Sequence, residues 1–143
     1  MALAGGGADT AQLVVVSKTR SVAAIEEALK AGHRIFGENR VQEAATKWPA
    51  LKARYPGVDL HLIGALQTNK TRAALDLFDV IETLDRPKLA RAIRKEIDRG
   101  APSPRLFLQI NTGKEPQKGG VLPGDLPALL ELGRQELGLP IPG

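Results

Sequence analysis

Residues 12–32 read "QLVVVSKTRSVAAIEEALKAG". The run Leu13–Val16 is aliphatic without alternation, the pattern of a strand buried on both faces of a parallel sheet. From Ser21 the period becomes that of a helix. Ser21 falls at the N-cap, Glu26 and Glu27 come early, and Gly32 supplies the stop. A buried strand followed at once by a helix is one βα unit, and the rest of the chain repeats it.

"RIFGEN" (34–39) precedes the helical "VQEAATKWPALKARY" (41–55), with a bend expected at Pro49. "DLHLIG" (59–64) precedes "NKTRAALDLF" (69–78). "DVIETLD" (79–85) leads into "RPKLARAIRKEIDRG" (86–100), the most plainly amphipathic helix, with Pro87 near its first turn. "RLFLQIN" (105–111) precedes "PGDLPALLELGRQEL" (123–137), and "GLPIPG" (138–143) reads as the start of a sixth strand. Five βα units in a row imply a parallel sheet with right-handed crossovers. Periodicity alone leaves two architectures, a five-stranded doubly wound domain and part of a (β/α)8 barrel. In both, functional groups belong at the C-terminal ends of the strands.

The bulk numbers narrow the chemistry. A chain of 143 residues, 43% hydrophobic and 25% charged, has the length and make-up of one globular domain. Its net charge of +4 is spread along helical patterns, and aromatics at 3% are too few for a base-stacking platform, which argues against nucleic acid as a partner. The absence of cysteine excludes disulfides, thiolate catalysis and cysteine-based metal sites. His33 and His61 have no metal-like spacing. No run reaches the roughly 18 apolar residues of a membrane span. The opening "MALAGGGADT" lacks a basic n-region and a long apolar core, so no secretory signal is expected and a cytoplasmic protein is the default.

The strand ends carry Lys18, Asn39, the "IGALQTNK" group with Gly64, Gln67 and Asn69, then Asp85 and Asn111. Lys18 stands out. A lysine against an apolar floor has its charged form disfavoured, so its pKa falls from about 10.4 and the neutral amine, the nucleophile toward aldehydes, becomes available. The competing reading is a lysine snorkelling from a strand end. Asn39 can hold a ligand hydroxyl or ring substituent, or cap the next helix; Gly37, on the same face, leaves room beneath. His61 alternates with Ile63, and a satisfied core histidine is its first reading. Asn69, Lys70 and Arg72 open a helix where anions bind readily, but no nucleotide fingerprint accompanies them. "NTGKEPQKGG" (111–120) reads as a surface loop carrying the exposed amine of Lys118.

Four stretches, "VVVSKTR", "FGENRVQEA", "HLIGALQTNK" and "LQINTGKEPQKGG", stand in the order and spacing of the YggS/PROSC family. The chain resembles these pyridoxal-phosphate homeostasis proteins from about Leu13 to its end. The family is similar to the N-terminal barrel domain of alanine racemases, a fold-type III arrangement. The resemblance therefore implies an α/β chain of the (β/α)8 TIM-barrel type, here about its first five βα units, over residues 13–143, behind a short tail at 1–12. It also implies pyridoxal 5′-phosphate as cofactor, held as a Schiff base on Lys18 with Asn39 beside its ring. The implied role is buffering or delivery of that cofactor without turnover, with pyridoxal-phosphate-dependent apo-enzymes as recipients. Two alternatives stand beside it: a pyridoxal-phosphate-dependent amino-acid racemase, and a cofactor-free fragment acting as an interaction module. Against the family pattern the chain stops where the sixth strand begins, before the phosphate-binding segment, so a partial barrel with an uncovered fifth strand is expected.

Overall fold

The computed structural model describes residues 12–142. Of the expected N-terminal tail, only Gln12 lies within them. Five strands, β1 (Val15–Val16), β2 (Ile35–Glu38), β3 (Asp59–Leu62), β4 (Val80–Leu84) and β5 (Arg105–Leu108), alternate with α1 (Val22–Lys30), α2 (Val41–Arg54), α3 (Thr71–Leu77), α4 (Pro87–Asp98) and α5 (Leu126–Glu131). All neighbouring strands are parallel, and their order in the sheet is their order in the chain.

That order decides between the two architectures. A doubly wound sheet reverses its strand order and so carries helices on both faces. An unreversed order with right-handed crossovers puts every helix on one face, as in a barrel wall. The burial pattern agrees. One row of residues across the sheet, Glu38, Leu62, Ile81 and Leu106, is wholly buried. The neighbouring row, Val16, Gly37, His61, Val80 and Arg105, points the other way; its middle is covered, with Gly37 and Val80 buried, but its ends Val16 and Arg105 are exposed. Phe107, on the same side as Arg105, is 41% exposed. The chain thus forms the first five βα units of a (β/α)8 wall, with helices outside and an inner face that is open toward β1 and β5.

Local chemistry explains most element ends. Ser21 Oγ accepts from Ala24 N at 3.2 Å, and Gly32 follows the end of α1 at φ +102°, a conformation that favours glycine. Pro87 opens α4, where its missing N–H costs nothing. α2 runs unbroken through Pro49. The segment after β3 is tighter than the expected single helix, a 3₁₀ turn at Thr68–Lys70 passing into α3. The last helix is likewise segmented. A 3₁₀ turn at Pro123–Asp125 precedes α5, and a π turn at Leu132–Glu136 follows it, where Gly133 lies so close to Ile141 that a Cβ would collide. β5 is shorter than expected: its last pairing, Leu84 with Leu108, comes after a register shift and at the end of β4, and Ile110 bridges Val121 instead. The outer edge of β5 is partly occupied. Leu106 N donates to Pro140 O at 3.0 Å, so the final segment starts alongside β5 as a sixth strand would.

The core lies between helices and sheet, around Phe36, Trp48, Leu51, Leu60, Leu75, Leu89 and Ile93. Phe36 and Trp48 pack with ring centroids 4.9 Å apart. On and just after the fifth strand, expected to be uncovered, Leu106 is buried in this core, whereas Phe107 and Ile110 stand exposed.

Candidate functional site

β1 and β2 end side by side, and the turns that leave them enclose a depression of about 500 Å³ lined by Lys18, Thr19, Asn39, Arg40 and Glu43. The two residues singled out from the sequence therefore share one cavity. On β2 the small residue at 37 lets its neighbours pack closely: a Cβ there would sit 3.1 Å from Val14 Cγ1 and 3.2 Å from Ile63 Cδ1, so both side chains close over the glycine. Gly64 has a similar part beneath Asn39. A Cβ on Gly64 would fall onto the carbonyl oxygen of Asn39, and only glycine lets the two loops cross there. Thr83 Oγ1 donates to Gly64 O at 2.8 Å and pins that loop to β4.

Lys18 differs from expectation in one respect. It is exposed, not set against an apolar floor. β1 is the edge strand of the described sheet, paired with β2 alone, and its polypeptide turns away from the sheet directly after Ser17. The buried lysine of this region is Lys47 of α2. It donates to Ser17 O at 3.0 Å and lies 3.0 Å from Glu38 Oε2 and 3.3 Å from Glu43 Oε2. Glu38 has no exposed surface and sits in a row otherwise made of leucine and isoleucine. Its Oε2 also accepts from Trp48 Nε1 at 3.0 Å and from Ser17 Oγ, while Oε1 has no partner among the described residues. Partial burial would raise the Glu43 carboxyl, but the Thr19 N–H and the Lys47 ammonium outweigh it and hold it below the usual carboxylate range.

Sequence reasoning missed this network, although a signal was present. Phe36 and Glu38 alternate onto the same strand face, and Lys47 adjoins the apolar stripe Val41, Ala44, Trp48, Leu51. An acid on a covered strand face beside a lysine on a covered helix face is a pairing signature.

The remaining strand-end residues do not all converge. Asn39 also lines a second depression of about 380 Å³ with Arg40, Gln67 and Lys70. Asn111 instead organises its own loop: Nδ2 donates to Glu115 O at 2.7 Å, and Oδ1 accepts from Glu115 N. Asp85 Oδ2 accepts from Gly120 N, and Lys118 pairs with Glu115 at 3.0 Å. His61, on the inner face, lies 2.6 Å from Glu82 and 3.2 Å from Asp59. Asp59 in turn accepts from Arg105 at 2.7 Å. Partial burial would raise the Asp59 carboxyl, but the Arg105 guanidinium and the His61 ring bring it below its usual range. His61 is thus a satisfied histidine. Among the described residues no His, Cys, Asp and Glu group could hold a metal, and no helix is long and apolar enough to cross a membrane.

Comparison with known proteins extends this geometry. The pyridoxal phosphate homeostasis protein of Vibrio cholerae is 41% identical over 130 residues, covering 90% of this chain and 55% of that protein. The chain spans about half the length of such relatives. The structure of PipY from Synechococcus elongatus PCC7942 with PLP bound is similar at a TM-score of 0.82 and 41% identity, over 94% of this chain and 61% of that one. Alanine racemase from Corynebacterium glutamicum, at 17% identity and a TM-score of 0.71, shares the fold. The resemblance carried by the four sequence stretches is borne out. Residues 3–143 match the family described as alanine racemase, N-terminal domain, and the chain belongs to that family.

Proposed function

We propose that this chain binds pyridoxal 5′-phosphate in intracellular homeostasis of the cofactor, with Lys18 as the covalent point of attachment and Asn39 beside the ring. The observation that carries this reading is the shared cavity of Lys18 and Asn39, in a chain 41% identical to a protein solved with PLP bound. The residues fit the group. An exposed amine is reachable by an aldehyde, and a cavity of about 500 Å³ falls within the roughly 300–1,000 Å³ of small-molecule sites. When bound, the cofactor supplies an aldehyde. Lys18 would present the amine that such a carbonyl can take up. Arg40 adds a cation and Glu43 an anion to the cavity wall.

The role is storage or delivery rather than turnover, in the cytoplasm, with pyridoxal-phosphate-dependent apo-enzymes as recipients. Racemisation requires acid–base groups on both faces of the substrate carbon. The single tyrosine, Tyr55, caps the far end of α2 and donates to Glu26 at 3.0 Å, away from Lys18. This supports binding without interconversion of D- and L-alanine.

The test is borohydride reduction after incubation with pyridoxal 5′-phosphate, followed by peptide mass mapping. Lys18 is expected to carry most of the pyridoxyl label, and Lys18→Ala to abolish the specific adduct. Equal labelling of Lys70, Lys114 and Lys118 would overturn the assignment.

A further inference from the structure

The turn that presents Lys18 is held in a conformation its sequence does not favour. Arg20 N donates to Ser17 O at 3.1 Å, closing a four-residue turn with Lys18 and Thr19 at its centre. Thr19 has φ +62°. Turns with a positive φ at the third residue call for glycine or asparagine, and a β-branched residue there is an outlier. Such outliers persist only where the surroundings impose them.

Here the surroundings are two residues of α2, one helical turn apart. Glu43 Oε2 accepts from Thr19 N at 2.6 Å. Lys47 donates to Ser17 O at 3.0 Å and Arg20 O at 3.5 Å, gripping both ends of the same turn. Behind Lys47 stands the buried carboxylate of Glu38, itself held by Trp48 and Ser17. The clamp therefore reaches from the helix–sheet core to the backbone on either side of Lys18.

We propose that Glu43 and Lys47 are positioning residues for Lys18: by fixing the Ser17–Arg20 turn with Thr19 at positive φ, they direct the Lys18 amine into the cavity it shares with Asn39. This inference deepens the proposed cofactor reading and rests on it for its biological sense, but its test does not.

The full chain and its Glu43→Ala variant are treated with formaldehyde, a probe with neither ring nor phosphate, and cyanoborohydride. Methylation of Lys18 is measured by mass mapping against Lys70 in the same molecule. Glu43→Ala is expected to shift the Lys18:Lys70 ratio and to speed hydrogen exchange at the Thr19 amide. Adding Thr19→Asn, which tolerates positive φ, is expected to restore the wild-type ratio without restoring the carboxylate. A purely structural loss would not be rescued in this way. An unchanged ratio in a Glu43→Ala variant that melts like the wild type would overturn the proposal, as would failure of Thr19→Asn to rescue. Lack of pyridoxyl labelling at Lys18 in the wild type, with the formaldehyde result intact, would count against the cofactor reading alone. Were Glu43→Ala to misfold, Glu43→Gln, which keeps an acceptor for the Thr19 N–H, should leave hydrogen exchange at the Thr19 amide as slow as in the wild type, and faster exchange there in a folded protein would equally overturn the clamp.

Discussion

The two faces of the sheet treat charge in opposite ways. On the helix-covered face a single acid, Glu38, lies among Leu62, Ile81 and Leu106, and it is met by an ammonium, an indole N–H and a hydroxyl. On the open inner face Asp59, His61, Glu82 and Arg105 form a chain of contacts of similar length, yet the Arg105 side chain is 56% exposed. Distances alone make the two networks look alike. Water makes them different, since the inner group can replace a lost partner by solvent and the covered group cannot. The covered network therefore has structural consequences that the open one lacks.

The sharpest way to break this comparison is to remove one partner on each side. Lys47→Met leaves Glu38 buried without its cation, and is expected to cost about 3–5 kcal/mol in denaturant unfolding. Adding Glu38→Gln to that variant should recover a large part, because the uncompensated charge is then gone. A loss below about 1 kcal/mol for Lys47→Met would place Glu38 in contact with water after all.

An intermediate effect is expected where the two loops cross at the site. Gly64→Ala forces a methyl group against the Asn39 carbonyl and should cost about 1–3 kcal/mol by thermal melting, with Asn39 displaced from the cavity. The smallest effect belongs to the inner face. Arg105→Ala removes an exposed partner of Asp59, and less than about 1 kcal/mol is expected. If Arg105→Ala were as damaging as Lys47→Met, solvent would not be the distinction.

The same distinction marks how far the sequence could be read. Strand and helix periods, the Ser21 cap and the Gly32 stop are local, and they appear where the pattern puts them. The choice between barrel wall and doubly wound sheet is not local. Both have the same βα repeat and differ only in which strands pair, so periodicity left it open and the family resemblance supplied the answer. Lys18 and Asn39 were legible because strand ends in parallel sheets meet by construction, and they do share a cavity. The exposure of Lys18 was not legible, since it depends on β1 having a neighbour on one side only. Glu38 and Lys47 were hidden by their polarity. Neither carries a motif, yet the alternation with Phe36 and the neighbouring helix stripe put both inside.

The unreversed strand order has a consequence for how the chain reaches this state. Val16 meets Gly37, Gly37 meets His61, His61 meets Val80, and Val80 meets Arg105, each pairing closing a loop of about 25 residues or fewer. Loop-closure entropy grows only slowly with length, so the four pairings face nearly equal entropic costs and none must await a distant strand. Each new strand finds its partner already made in the segment before it. A chain so wired can zip its sheet in the direction of synthesis, with every βα unit docking onto its predecessor as it leaves the ribosome.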